Sequence, residues 1–143
     1  MAGSFNFTLT TPQGKLLDIP AVAAVLPAHD GQLGVLPGRA PMVIKLGIGP
    51  LRVDIADTAK GQGGSRSFLI EEGFAHMIGD KLNVLTPSAT AAETIVESEA
   101  QAALAQAERE TVHTTDQVAL AKRGKDLDRA RAAVRLARSG KGI

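Results

Sequence analysis

The sequence predicts an α+β chain in two modules: an antiparallel β-sandwich or barrel over residues 1–87, then an antiparallel α-helical hairpin over residues 88–143. The first sign is where the helix breakers stop. All seven Pro and all four Phe lie at or before Pro87, and of the 15 Gly only Gly124, Gly140 and Gly142 follow it. Pro and Gly punctuate short strands, and their disappearance licenses long helices. The second sign is a change of period, from alternation in the first half to helical spacing in the second.

In the first half, Phe5, Phe7 and Leu9 alternate with polar residues, as do Leu51, Val53 and Ile55, and then Leu82 and Val84. Such alternation buries one face of each strand and solvates the other. Turn signals recur at Thr11-Pro12-Gln13-Gly14, Asp30-Gly31, Pro37-Gly38, Gly47-Ile48-Gly49-Pro50, Gly61-Gln62-Gly63-Gly64 and Gly79-Asp80. Many short strands at close spacing point to two packed sheets or a barrel. The run Ala21-Val22-Ala23-Ala24-Val25-Leu26 is apolar throughout, as expected of a strand buried on both sides.

In the second half, Thr90 with Glu93 and Thr114 with Gln117 have the capping-box spacing that opens a helix. Val96, Ala100, Ala103 and Ala107 then fall on one predicted stripe, and Leu120, Leu127, Ala130, Val134 and Ala137 on another. Stripes rich in Ala let two helix axes approach closely, which favours a hairpin. Gly124 either kinks the second helix or marks its start.

Charge divides along the same line. The chain carries 16 Lys or Arg against 15 Asp or Glu, a net +1. Steering of the whole molecule onto nucleic acid or a membrane is therefore not expected. Yet residues 93–110 hold five Glu against one Arg, and residues 116–143 hold eight Lys or Arg against three Asp. Either the two helical faces attract each other along the hairpin, or the basic helix docks on an acidic partner through Arg131, Arg135 and Arg138, which share one face.

Few residues bear chemistry. The chain has no Cys, which excludes disulfides, thiolate catalysis and cysteine metal sites. His29, His76 and His113 lack metal-ligand spacing. No Gly-x-Ser-x-Gly elbow occurs, and Gly47-Ile48-Gly49 lacks the third Gly of a dinucleotide fingerprint. Glu71 and Glu72 are adjacent, so on a regular strand they point to opposite faces and form no acid pair. There is no apolar run long enough for a membrane helix, and the first residues do not read as a signal peptide. A soluble, non-catalytic binding part of a reducing compartment is expected.

The segment Asp30-Gly31-Gln32-Leu33-Gly34-Val35-Leu36-Pro37-Gly38-Arg39-Ala40-Pro41, followed by Gly47-Ile48-Gly49-Pro50-Leu51-Arg52-Val53, carries a resemblance. It is similar to the epsilon subunit of the rotary F-type ATP synthase, as are Phe5 to Leu16 and Gly73-Phe74 running on to Leu82-Asn83-Val84-Leu85. The resemblance implies a central-stalk subunit that couples ion-driven rotation to ATP synthesis. Its implied partners are the gamma subunit, the ring of c subunits and, through the C-terminal helices, the beta and alpha subunits. Its implied place is the cytoplasmic face of the bacterial inner membrane, as a peripheral subunit. It assigns the c-ring-facing turn to Asp30, Gly31, Gln32, Leu33 and Gly34, gamma contacts to Arg39, Glu72 and His76, and restraint of ATP hydrolysis to Arg131, Arg135 and Arg138.

The chain departs from that pattern at Gln32, where Glu is common, at Arg39, where His is usual, at Glu71-Glu72 and at His76. Some members bind ATP through an Ile/Leu-Asp-x-x-Arg-Ala motif, but here that place reads Ile95-Val96-Glu97-Ser98-Glu99-Ala100. The pattern appears later as Leu127-Asp128-Arg129-Ala130-Arg131-Ala132, where it resembles the second helix, so no cofactor is expected. The residues alone also fit a free-standing sandwich adaptor whose hairpin binds a partner. A small enzyme using His76 and Glu72 lacks a supporting constellation.

Overall fold

The computed structural model describes residues 3–56, 64–109 and 116–139. Seven strands are described: β1 (Phe5–Thr11), β2 (Gly14–Ala28), β3 (Gly31–Val35), β4 (Met42–Ile55), β5 (Gly64–Ile78), β6 (Lys81–Leu85) and β7 (Ala89–Ala91). A 3-10 turn at Ala92–Thr94 leads to α1 (Glu97–Arg109) and α2 (Gln117–Ser139). The α+β order expected from the sequence is the order observed.

The sheet runs β1-β6-β5-β4-β2-β3, and a further pairing of β1 with β2 closes it on itself. Every pairing is antiparallel except β1 with β6, which is parallel, so the barrel is mixed rather than purely antiparallel. The alternating residues form the core as predicted except at Ile55: Phe5, Phe7, Leu9, Leu51, Val53, Leu82 and Val84 are all fully buried, whereas Ile55 at the end of β4 is half-buried. The apolar run of β2 is different. Ala21, Ala24 and Leu26 are buried while Val22, Ala23 and Val25 are half-buried. The register shifts between Ala21 and Ala23, and the inward face changes phase there instead of both faces being covered.

β7 returns to pair with β5, placing Thr90 opposite Leu69. The capping box expected at Thr90 and Glu93 is therefore not formed; Glu93 instead pairs with Arg66 at 3.1 Å. The first helix starts at Glu97, past this extra strand. Thr114 lies outside the described residues, and α2 is opened by Asp116, whose carboxylate accepts from the Val118 amide at 3.0 Å. The helix runs unbroken through Gly124, so Gly124 is not its start.

α2 lies against β4 and β5, and α1 packs on α2. The stripes are shifted from those expected. Ala103 is exposed and Val96 half-exposed, and the covered face of α1 is Ala100, Leu104 and Ala107. On α2, Ala130, Val134 and Ala137 are buried as expected, whereas Leu120 is exposed. A second stripe, Ala132, Ala133 and Leu136, packs on Leu69, Ala92 and Ile95 as a cluster separate from the barrel core. A helix buried on two sides shows a weak single-face pattern, which is why this stripe is not evident from spacing.

Candidate interaction surfaces

β5 changes phase midway. Phe68 and Ile70 face the core at one end, and Ala75 and Met77 at the other, although the two pairs differ in parity. Facing them on β4, Leu46 and then Leu51 and Val53 make the same change. The reversal falls at Glu72 and Gly73, whose φ angles are 67° and 118°. A side chain at Gly73 would run into the Leu85 carbonyl and the Thr86 backbone, so the position requires glycine.

The consequence is that Glu71 and Glu72 both reach the same helix. Lys125 Nζ donates to Glu72 Oε1 at 2.7 Å, and Arg129 Nε donates to Glu71 Oε1. Arg129 Nη1 also bonds Asp126 Oδ1 at 3.1 Å. The expectation that adjacent acids point apart fails because it assumes a regular strand. The Lys125 hydrogen bond, with its charge, holds the Glu72 carboxyl below the usual glutamate range, and Lys45 and Arg129 add to this.

Farther along β5 the outward face is uncovered. Phe74, His76 and Ile78 project from it, beside Val43 and Lys45 of β4 and Asn83 and Leu85 of β6. Val43 is 70% exposed and Phe74 and Leu85 are 55% exposed. Val43 pairs with His76, and Phe74 pairs with Leu85, so the patch is continuous by register. Four large apolar side chains on neighbouring strands, Val43, Phe74, Ile78 and Leu85, mark a contact surface.

A second surface lies along α2, bordering α1 in one depression and the barrel in another. Arg131, Arg135 and Arg138 border a shallow depression of about 520 Å³ with Leu104 and Val134. Arg135 also borders a groove of about 650 Å³ that includes Gln32, Arg52, Arg66 and Glu93. Arg52 is paired with Asp54 at 3.0 Å, and Arg66 lies over the Phe68 ring, 5.4 Å from its centroid. Among the described residues, no group of three or more His, Asp or Glu is placed to hold a metal ion.

Residues 4–92 match the family described as ATP synthase, Delta/Epsilon chain, beta-sandwich domain. The ATP synthase epsilon chain of Syntrophobacter fumaroxidans is 32% identical over 137 residues, 96% of this chain and 98% of that one. The chain belongs to the ATP synthase epsilon family. The fold agrees with a chain of the Euglena gracilis mitochondrial ATP synthase at a TM-score of 0.76 and 23% identity, over 91% of this chain and 79% of that one. It also agrees with a chain of the Tetrahymena thermophila mitochondrial ATP synthase at 0.66 and 15%, over 92% and 95%.

The positions that the epsilon resemblance singles out are not equally available. Of Asp30 to Gly34, Asp30 lies at the turn, while Gly31, Gln32, Leu33 and Gly34 already belong to β3. Leu33 packs on the barrel core, and Gln32 borders the groove beside Arg135. Arg39 is exposed and donates to Met42 Sδ at 3.1 Å and to the Gly34 carbonyl at 3.4 Å. His76 is open on the apolar patch, but Glu72 is engaged by Lys125. Arg138 pairs with Glu97 of α1 at 3.4 Å, so the first turn of α1 already holds the basic helix. Val43, Phe74 and Leu85 are missed by reasoning from charge, as are Lys125 and Arg129. The signal was the change of parity between Ile70 and Ala75 around a glycine.

Proposed function

We propose that this epsilon chain is a non-catalytic central-stalk subunit of an F-type ATP synthase, seated between the gamma subunit and the c ring. It transmits rotation driven by proton or sodium flow to the catalytic head. It stands at the cytoplasmic face of the bacterial inner membrane as a peripheral subunit. The solved relative from Tetrahymena is described as central stalk and c ring, which supports this placement.

The observation that carries the reading is the uncovered face of Val43, Phe74 and Leu85 around His76. A rotor fitting must hold its shaft without slipping, and burying these side chains supplies about 1.5–3 kcal/mol each. That face takes gamma, with Arg39 and His76 contributing polar contacts. The turn at Asp30 and Gly31 meets the c ring, where Gln32 replaces an ionic contact by a neutral one. The hairpin restrains ATP hydrolysis by leaving the barrel and presenting Arg131, Arg135 and Arg138 to acidic surfaces of the alpha and beta subunits.

No nucleotide site is assigned to the isolated subunit. Glu99 stands where the motif has Arg and repels phosphate, and Arg52 and Arg66 are already paired with Asp54 and Glu93. Titration calorimetry of the purified chain with ATP should show no binding heat. The function is tested by isolating the tagged chain from native membranes and identifying its companions by mass spectrometry. Gamma and c subunits at fixed stoichiometry are expected; recovery without gamma overturns the reading.

A further inference from the structure

We infer that Glu71 and Glu72, turned to one side by the backbone at Glu72 and Gly73, form a two-point ionic latch with Arg129 and Lys125 that fixes the hairpin to the barrel and makes its docking sensitive to salt. The inference rests on the proposal that the hairpin leaves the barrel, and it adds the device that sets how readily it does so.

Geometry carries the argument first. Lys125 and Arg129 are four residues apart, so they stand one turn above the other on the face of α2 that meets β5. Two adjacent acids on a regular strand would offer that face one carboxylate. Here Glu72 has a positive φ of 67°, the one such non-glycine among the described residues. A residue in that region persists where its surroundings hold it there. What holds it is the reversal at Gly73 and the ion pair to Lys125.

The second part is the weakness of the remaining contact. Between α2 and the barrel, the fully buried apolar side chains are Leu69, Ala132 and Leu136. Ala92, Ile95 and Ala133 pack at its edge partly buried, and alanines bury little area, so the apolar term is modest. Against such a contact, two ion pairs shift the balance. Two other charges lie at the joint, each on the same side of it as the latch residue it neighbours. Lys45 of β4 favours the ionised Glu72, and Asp126 bonds Arg129 from within α2.

The third part is exposure. The side chains of Lys125 and Glu72 are 55% and 46% exposed, that of Arg129 is 46% exposed, and Glu71 is the least open at 23%. Pairs this open to water are screened by salt, unlike buried apolar contacts.

The absence of cysteine allows two spin labels to be placed cleanly, at Val118→Cys on α2 and Lys81→Cys on the barrel of the full chain. Pulsed dipolar spectroscopy then reads docked and undocked populations. Raising salt from about 0.1 M to about 1 M should increase the undocked fraction about three- to tenfold. The E71Q/E72Q variant should show that increase at low salt and lose the salt response. K125Q/R129Q should match it from the helix side. L136A should also undock the hairpin but keep the salt response. Exchange of one pair, E72K with K125E, should restore docking lost in E72K alone. A salt response in E71Q/E72Q equal to that of the parent overturns the latch, as do unchanged low-salt distances in K125Q/R129Q. These distances are read on the lone chain, so they stand or fall separately from recovery of gamma out of membranes.

Discussion

Gly73 and Glu72 show how much one backbone position can decide. At φ 118° and with the Leu85 carbonyl where a side chain would go, Gly73 tolerates no substitution without moving β6. Gly73→Ala should lower stability by about 1–3 kcal/mol in urea denaturation; an unchanged midpoint would show that the reversal is not fixed there. Glu72 gives a pH prediction. Its carboxyl is held low by Lys125, so the pair contributes above the unfolded glutamate value of about 4.3 and is lost as pH falls through the lower folded value. Acidification through that window should undock α2, and E72Q should remove this part of the response. From the sequence, the glycine was visible but its consequence was not. A phase change of one residue in the apolar pattern is a weak signal, although it turns every later side chain to the other face.

At the scale of elements, the strands were legible wherever one face is buried. Phe5, Phe7 and Leu9 or Leu82 and Val84 fix both the strand and its inner side. The helices were legible as elements and less so as surfaces. α2 serves two neighbours at once, packing on α1 and, through Ala132 and Leu136, on the barrel, while Ala130, Val134 and Ala137 are buried as well. One amphipathic stripe cannot describe such a helix. The cap at Thr90 was misread because β7 claims that residue for pairing with β5, and tertiary pairing overrides a local signal. Gly124 provides a test of α2 itself. Nothing lies within 4 Å of a side chain built there, so Gly124→Ala should raise helix stability by about 0.5–1 kcal/mol without disturbing packing. Thermal denaturation followed by circular dichroism reads this, and a fall in stability would mean the helix needs flexibility at that point.

For the molecule as a whole, the division of labour follows from what each part buries. The barrel encloses a core of large side chains, whereas the hairpin is attached by alanines, one leucine contact and ion pairs. A rigid body with a loosely held arm suits the rotor role proposed above. The family was legible in the run from Asp30 to Pro41, and the polarity of the helices in their charge. The apolar surface proposed for the shaft was not, because Val43, Phe74 and Leu85 come together only through the pairing of β4, β5 and β6. The most direct measurement replaces Phe74 and Val43 by Glu and quantifies retention on assembled membrane ATPase, with L136A in parallel. The account predicts that V43E/F74E is folded yet lost from gamma and the complex, while L136A stays bound. Retention of V43E/F74E at the parent's level would contradict it.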